Sequence, residues 1–336
     1  MDKITPQKKT ILSGMQPTNN LTIGQYFGAL RNWVELQHDY DSLFCVVDQH
    51  AITVRQEPAS LRRRSLDVAA MYMAAGIDPT VSTLFIQSHV PEHAQLAWIL
   101  NCLASFGEVS RMTQFKDKSA QHADNVTVGL FTYPILMAAD ILVYNADLVP
   151  VGEDQRQHLE LTRNLAERFN FHYSPTFTVP EPFIPKVGSK IMSLQEPEKK
   201  MSKSDVNEKS TVFLTDTDAE IRNKIKRAVT DSGTDIIFDA ANRPGVANLM
   251  TIHHICTGRT IKEIESDFTG LGYGDFKEAV GESLVALVRP VRERYDALRA
   301  DEDGLMNTLR VGAEHARERA RKTLRKVYKK TGFVEL

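Results

Sequence analysis

A short loop that carries two lysines has the chemistry needed to bind phosphate groups. It spans Lys200–Ser204, with the sequence Lys-Met-Ser-Lys-Ser, and Asp205 follows it. Ammonium groups aimed at the charge that develops on a phosphoryl group stabilise a transition state by several kcal/mol. Lys/Ser runs are also common in solvated loops, so the cluster alone assigns no function. Because it comes soon after Pro197, we expect a flexible loop that closes over its ligand.

A second candidate phosphate site lies where the first predicted strand gives way to a helix. The loop after Ser13 contains turn-forming residues, the helix begins near Thr22, and Gly24 lies in its first turn. Backbone N–H groups at a helix start attract anions, and glycine lets a ligand approach the backbone closely. An ordinary strand–helix turn has the same pattern. Neither G-x-G-x-x-G nor G-x-x-x-x-G-K-[ST] occurs in the chain, which argues against dinucleotide and P-loop sites.

A third candidate is a single carboxylate within an apolar helix. Asp140 lies in the segment Tyr133–Leu142, whose other residues are nearly all apolar. Burying an unpaired carboxylate is costly, so Asp140 requires either a ligand that donates to it or a basic partner within the protein. From the residues alone, the internal partner is the favoured interpretation.

Short apolar runs alternate with helical patterns through the first half of the chain. This alternation predicts an α/β fold with a doubly wound, Rossmann-like parallel sheet. Ligands of such sheets bind beyond the carboxyl ends of the strands, which places Ser13–Thr18, Asp48–His50 and Val151–Gln155 around one crevice. The predicted strands are Thr10–Ser13, Leu43–Asp48, Thr83–Gln87 and, more weakly, Asp147–Val151. The predicted helices are Thr22–His38, Pro58–Ala75, Glu92–Ser105 and Glu153–Asn170.

The second half of the chain has a different pattern. Prolines accumulate between Tyr173 and Pro185 and indicate a connection with little helix. After Ser204 we predict a smaller all-helical domain, so that the chain divides into residues 1–204, 205–300 and a C-terminal basic helix within 301–336 that packs back on the body. The predicted helices here are Thr217–Val229, Val246–Cys256, Thr260–Asp267, Asp275–Leu298 and Gly304–Lys330.

Composition describes an ordinary globular enzyme. The 336 residues are 42% hydrophobic and 25% charged, with a formal net charge of −2. No apolar run approaches the roughly 18 residues of a membrane span, and the first residues lack the apolar stretch of a secretory signal. The three cysteines form no Cys-x-x-Cys pair, so we expect a cytoplasmic protein without disulfides. His89 and His93 have zinc-ligand spacing, but Pro91 between them and the lack of a third ligand lead us to expect no metal site.

Several motifs resemble those of one enzyme family. Lys200–Ser204 is similar to the second signature of class I aminoacyl-tRNA synthetases, and Thr22–Gln25 stands where the family has His-Ile-Gly-His. Threonine and a side-chain amide in place of the two histidines are typical of the tryptophan branch. The segments Val47–Thr53, Val149–Gln155 and Tyr133–Leu142 also resemble that branch.

The resemblance implies roles for particular residues. An indole has one N–H and no acceptor, so Asp140 becomes the expected reader of tryptophan, and phenylalanine would leave Asp140 unpaired. The implied tryptophan-binding residues are Asp140, His50, Tyr133, Met137, Gln155, Val149 and Val151. The implied ATP-binding residues are Gln16, Pro17, Thr18, Gly24, Gln25, Gly152, Glu153, Asp154, Ile191, Lys200, Met201, Ser202, Lys203 and Ser204. The implied catalytic residues are Lys200, Lys203, Thr22, Gln25 and Lys118, with Thr22 and Gln25 donating hydrogen bonds to phosphates.

The resemblance also implies a reaction and partners. Tryptophan and ATP with Mg²⁺ would give an adenylate, and the aminoacyl group would pass to a tRNA held by the helical domain of a homodimer. Two basic faces are candidates for tRNA contact, Ile221–Thr230 and the tail between Arg317 and Lys330. From the residues alone, a solvated basic helix face with Leu324 and Tyr328 packed inward is the favoured interpretation of the tail. The alternatives are a tyrosine-specific relative, a small nucleotidyltransferase and a non-catalytic RNA-binding paralogue.

Overall fold

Five parallel strands form a sheet in the order β3-β2-β1-β4-β5. The computed structural model describes residues 8–17, 20–114, 126–152, 155–183, 190–202, 205 and 207–334. The strand order reverses between β1 and β4, as in a doubly wound Rossmann-like sheet, so the predicted fold class is confirmed. The strands are β1 (Thr10–Met15), β2 (Asp41–Val46), β3 (Thr83–Ile86), β4 (Leu148–Pro150) and β5 (Glu181–Phe183).

The strand β5 lies within the proline-rich connection for which we predicted little helix and no strand was assigned. It pairs with β4 in parallel, with Val149 opposite Pro182, and ends the sheet on that side. Proline lacks an N–H, but an edge strand needs donors on one side only, so Pro182 is tolerated there. The accumulation of prolines concealed this strand from the sequence pattern.

Helices of the first half follow the predicted segments with local differences. The helix predicted from Thr22 to His38 is continuous but contains a π-helical turn, Tyr26–Leu30, between α1 (Ile23–Gln25) and α2 (Arg31–Asp39). The helix predicted to Ser105 ends at Asn101, because Ser105 caps a new helix with its side chain. The remaining helices are α3 (Asp48–Ala51), α4 (Pro58–Ala75), α5 (Glu92–Asn101), α6 (Phe106–Ser110), α7 (Val128–Leu142) and α8 (Arg156–Tyr173).

The second half is helical, and it shares its core with one face of the sheet. Its helices are α9 (Asp218–Lys226), α10 (Pro244–Thr257), α11 (Ile261–Asp267), α12 (Tyr273–Ala300) and α13 (Glu302–Thr331). A continuous apolar cluster joins Phe44 and Val46 of β2 to Leu249 of α10 and Val288 of α12. The domain boundary that we propose between residues 204 and 205 therefore divides the chain but does not divide this core.

The last helix, α13, lies directly against the strand β3. A Cβ atom at Gly312 would come within 1.8 Å of the Leu84 carbonyl oxygen, so only glycine permits this approach. Ala316 and Val327 of α13 belong to the apolar cluster on the other face of the sheet, together with Cys45. Within the described ranges, no helix combines the length and apolar character needed to cross a membrane.

Candidate active site

A cavity of about 220 Å³ opens at the carboxyl ends of β1 and β4, where the strand order reverses. All seven residues predicted to bind tryptophan line it: His50, Tyr133, Met137, Asp140, Val149, Val151 and Gln155. Gln16, predicted for ATP, lines it as well. Eight further lining residues were not among the predicted binding residues, and these are Leu12, Ser13, Gly14, Cys45, Val47, Gln114, Ile141 and Pro150.

Asp140 in this cavity accepts three hydrogen bonds from the protein itself. His50 Nε2 lies 2.7 Å from Oδ2, while His93 Nδ1 and Gln87 Nε2 lie 2.6 and 2.7 Å from Oδ1. An ionised carboxylate only accepts, so each of these nitrogens donates a hydrogen. Both carboxylate oxygens are therefore held in place by side chains from other segments of the chain.

The donors to Asp140 are themselves oriented by further hydrogen bonds. The Gln49 backbone N–H donates to Gln87 Oε1 at 3.1 Å, which leaves the Gln87 NH₂ group facing Asp140. His93 Nε2 lies 2.7 Å from the hydroxyl of Tyr144. This second contact fixes the orientation of the His93 ring, with Nδ1 towards Asp140. Two of the three donors to Asp140, Gln87 and His93, are therefore held in orientation by further contacts.

The histidines keep Asp140 ionised although it is buried. Burial by itself raises the pKa of this carboxyl group, but the charges and hydrogen bonds of His50 and His93 outweigh it and lower the pKa to about 2. At neutral pH the cavity therefore presents a carboxylate at one end of a largely apolar lining.

This network corrects one expectation. We predicted that Asp140 would be left unpaired without an indole, and that prediction is wrong, because three protein donors already satisfy it. A carboxylate offers about four lone-pair positions. Two donors occupy Oδ1 and one occupies Oδ2, so Oδ2 retains one acceptor position.

Tyr133 in the lining pairs with His158, which is buried behind it. The Tyr133 hydroxyl lies 2.9 Å from His158 Nε2 and 3.2 Å from Gln114 Oε1. Burial raises the pKa of Tyr133 to about 12, so its hydroxyl keeps its hydrogen at neutral pH. The cavity lining thus has a carboxylate at one position and the uncharged Tyr133 hydroxyl at another.

Thr22 and Gln25, predicted as phosphate donors, form the cap of helix α1. Thr22 Oγ1 accepts from the Gln25 backbone N–H at 3.1 Å, and Gln25 Oε1 accepts from the Thr22 backbone N–H at 3.1 Å. Thr22 is only 1% exposed. These contacts give Thr22 a structural function as a helix cap. Gln25 Nε2 lies 3.9 Å from Met15 Sδ, a weak acceptor, and so remains the stronger candidate donor of the two.

Gly24 brings the two signature segments together. A Cβ atom placed on it would lie 3.7 Å from the Cβ atoms of both Ile191 and Met201. Those distances are ordinary van der Waals contacts, so the protein itself does not require glycine at this position. Any requirement for glycine at this position therefore comes from a bound ligand and not from packing within the protein.

The segment that ends in the lysine loop is a hairpin held by backbone hydrogen bonds. Met192 and Lys200 form an antiparallel bridge, and the Met201 N–H donates to the Ile191 carbonyl at 3.0 Å. The Ser202 carbonyl accepts from Thr211 Oγ1 at 3.0 Å. These hydrogen bonds set the backbone path as far as Ser202, and closure of the loop over its ligand stays a prediction. The Lys200 side chain itself is exposed.

Six predicted site residues lie outside the described residues: Thr18, Lys118, Glu153, Asp154, Lys203 and Ser204. Among the ATP-binding predictions that are described, Pro17, Ile191 and Met201 are buried, whereas Gly152 and Ser202 are exposed. The Gly152 carbonyl accepts from the Gln155 N–H at 3.0 Å, which ties that loop to the cavity.

The histidine pair considered for zinc has other contacts. Both ring nitrogens of His93 are engaged by Asp140 and Tyr144, and His89 is exposed. Over the part of the chain that the structure describes, no group of three or more His, Cys, Asp or Glu side chains is arranged to hold a metal ion.

Many cations of the basic tail bind the protein rather than face solvent alone. Arg317 and Arg321 both pair with the buried Glu92, and Arg319 pairs with Asp41. Lys330 donates to the Pro175 carbonyl at 2.6 Å. These contacts attach α13 to the sheet domain, which gives the tail charges a structural explanation.

Comparison with known proteins identifies the family. Residues 6–289 match the family described as tRNA synthetases class I (W and Y). The tryptophan–tRNA ligase of Clostridium tetani (strain Massachusetts / E88) is 54% identical over 327 residues, which are 97% of this chain and 96% of that protein. The crystal structure of tryptophanyl-tRNA synthetase from Mycoplasma pneumoniae is 34% identical, with a TM-score of 0.87 over 98% of this chain and 99% of that one. The Campylobacter jejuni enzyme, complexed with ADP and tryptophan, is 33% identical, with a TM-score of 0.85 over 96% of this chain and 100% of that one. The family match over residues 6–289 and the identity to these proteins over nearly the full length show that the chain belongs to the class I tRNA synthetases of the W and Y family.

Proposed function

We propose that this protein is a tryptophan–tRNA ligase. The observation that carries the proposal is the ionised Asp140, which keeps one acceptor position on Oδ2 in a cavity otherwise lined mainly by apolar groups. An indole N–H is a donor without an accompanying acceptor, so it matches this position. The high identity to a tryptophan–tRNA ligase over nearly the full length supports the same substrate.

The reaction proceeds in two steps. A carboxylate oxygen of tryptophan attacks the α-phosphorus of ATP, the bond to the bridging oxygen breaks, and pyrophosphate leaves with the electron pair. A terminal ribose hydroxyl of tRNA then attacks the carbonyl carbon of the adenylate, loses its proton and displaces AMP. Neither step needs a protein nucleophile, so catalysis consists of positioning and electrostatic stabilisation.

The cavity orients tryptophan through its two ends. Asp140 Oδ2 accepts the indole N–H, and the apolar side chains of Met137, Val149 and Val151 contact the ring. Tyr133 and Gln155 lie on the same lining. In this proposal they bind the end of tryptophan that carries the α-amino and α-carboxylate groups. Phenylalanine, which lacks the N–H, leaves one acceptor position on Oδ2 empty. Discrimination therefore rests on a single missing hydrogen bond plus shape rather than on an unpaired buried charge.

The phosphates of ATP lie between the two signature segments in this proposal. Lys200 and Lys203 offset charge on the leaving pyrophosphate, Gly24 leaves room for the nucleotide, and Gln25 donates through Nε2. Lys118 also binds the phosphates in this proposal. Mg²⁺ usually binds through substrate phosphates and only one or two protein carboxylates. When bound, Mg²⁺ neutralises phosphate charge.

The partners are tRNA and a second copy of the chain. Of the cations around α9, Arg222 and Lys224 pair with acids, while no ion pair of the described residues includes the exposed Lys226 and Arg227. We place a tRNA backbone contact at these two side chains. The enzyme acts in the cytoplasm, where tRNA is charged.

The homodimer is proposed from an exposed apolar surface. Trp98, Phe106 and Val128 are 68%, 77% and 77% exposed, and the ring of Phe106 packs on that of Phe131 at 5.1 Å. Large exposed side chains grouped in this way mark an interaction surface. Sedimentation equilibrium at micromolar concentration should give the mass of a dimer, and a monomer mass would contradict this part of the proposal.

The decisive experiment is ATP–pyrophosphate exchange with each of the twenty amino acids in turn. Tryptophan should support exchange well above the other nineteen. Exchange with tyrosine instead would assign the protein to the tyrosine-specific relatives. A lack of exchange with any amino acid would overturn the proposed activity.

A further inference from the structure

Asn248 of helix α10 binds the backbone of the signature hairpin. It is 5% exposed, and its side-chain amide makes two hydrogen bonds with a single residue, Met192. The Met192 N–H donates to Asn248 Oδ1 at 2.9 Å, and Asn248 Nδ2 donates to the Met192 carbonyl at 2.9 Å. The side chain thus takes the place of a neighbouring strand along this edge of the hairpin.

The other edge of the hairpin carries Lys200. Met192 and Lys200 face one another in the antiparallel bridge, with hydrogen bonds on either side from Met201 to Ile191 and from Ser193 to Lys199. A single residue, Met192, therefore lies between the Asn248 side chain and the backbone of Lys200. Its position determines where the Lys200 backbone lies.

The helix α10 provides a rigid base for this contact. A Cβ atom at Gly245 would lie 2.2 Å from the Val229 carbonyl oxygen, so the helix packs directly on that segment. The Val229 N–H donates to the Leu194 carbonyl at 2.8 Å, and Leu194 follows Met192 on the hairpin. Leu249, next to Asn248, is buried in the core shared with the sheet. The hairpin, residue 229 and α10 are therefore packed as one unit.

We infer that Asn248 is a positioning residue for the activation step. It acts through the Met192 backbone to hold Lys200 in line with the phosphates of ATP, and it does not contribute to tryptophan binding. The inference rests on the proposed function. Displacements of about 1 Å in a reacting group lower rates by on the order of 10²-fold. A role in packing alone would instead depend on the volume of the side chain.

The substitution Asn248→Asp separates these two roles, because it keeps the volume and one acceptor. It removes the donor and sets a carboxylate oxygen against the Met192 carbonyl. The kcat of tryptophan-dependent pyrophosphate exchange should fall on the order of 10²-fold, while the Kd of tryptophan changes less than about twofold. Thr251→Ala is the matched control, since Thr251 lies one turn further along α10 and its hydroxyl binds only the Ala247 carbonyl.

A double-mutant cycle with Lys200→Ala tests whether Asn248 acts through Lys200. The fold loss caused by Asn248→Asp should largely vanish when Lys200 is already truncated. Equal fold losses in both backgrounds would overturn the inference, as would an Asn248→Asp enzyme as fast as the Thr251→Ala control. If Asn248→Asp does not give a cooperative thermal transition, the uncharged Asn248→Ser replaces it in the same cycle. Wild-type protein without tryptophan-dependent exchange would instead overturn the proposed function.

Discussion

The surroundings of Asp140 and of Lys200 are built in opposite ways. Asp140 is 5% exposed and is held by side chains from three other segments of the chain. Lys200 has an exposed side chain, and its fixed part is the backbone, which is paired with Met192. Asp140 is oriented by the side chains around it. Lys200 is oriented by its hydrogen-bonded backbone, and its side chain extends into solvent.

This difference matches two kinds of chemistry. Selecting one amino acid requires acceptors and donors whose directions are set before the substrate arrives. Stabilising charge on a leaving group requires cations that are placed correctly but are not already paired with protein carboxylates. The neighbouring Lys199 illustrates the contrast, because its ammonium pairs with Glu196. We therefore expect substitutions near Asp140 to affect tryptophan binding and substitutions near Lys200 to affect the rate.

The largest effect should come from Lys200→Ala. Removing one group that stabilises transition-state charge lowers kcat by about 10²–10³-fold. The Kd of tryptophan, measured by equilibrium dialysis, should stay within about twofold of the wild-type value. Lys199→Ala, which removes the adjacent cation, is the control and should retain kcat. Equal losses in the two variants would remove the distinction between Lys200 and its neighbour.

His93→Ala should damage the other region. It removes a donor to the Asp140 carboxylate and leaves the Tyr144 hydroxyl without its partner. A hydrogen bond to a charged group contributes about 1.5–3 kcal/mol, so the KM of tryptophan should rise roughly 10–100-fold. Tyr144→Phe removes only the outer hydroxyl and should raise it less than about threefold. A rise in the KM of ATP instead would contradict the separation of the two regions.

Gly24→Ala tests the space between the two signature segments. The added methyl group makes only ordinary contacts with Ile191 and Met201, so the melting temperature should be unchanged or slightly higher. The KM of ATP should rise on the order of tenfold, because the methyl group occupies the volume through which the nucleotide approaches. A lower melting temperature with an unchanged KM of ATP would show that glycine serves the fold alone.

The smallest effect concerns stability in acid. The pKa of Asp140 falls from 3.8 to about 2 on folding, so its ionised form stabilises the protein above pH 3.8, and this contribution is lost as the pH falls towards 2. The full contribution is about 2 kcal/mol. Melting temperatures of wild type and Asp140→Asn, measured from pH 2 to 5, should therefore converge at low pH. A constant difference over that range would contradict the lowered pKa.

The sequence predicted the part of this architecture that has a local pattern. Apolar runs indicated the first four strands, and a lone carboxylate in an apolar helix drew attention to Asp140. His93 and Gln87 were not assigned, because they lie 47 and 53 residues before Asp140 and nothing in their own segments shows that they point towards it. The hydrogen bonds that order the hairpin were not predicted either. They come from backbone atoms and from the amide of Asn248, which lies far along the chain. Contacts that depend on packing distant segments together leave no local signal.

The most direct test of the account is the amino-acid preference of Asp140→Asn in pyrophosphate exchange. The wild-type enzyme should strongly prefer tryptophan over phenylalanine in kcat/KM. In the variant an amide replaces the ionised acceptor, so kcat/KM for tryptophan should fall by at least about 10²-fold and approach that for phenylalanine. If Asp140→Asn folds and keeps the wild-type preference for tryptophan, Asp140 does not read the indole and the central claim is contradicted.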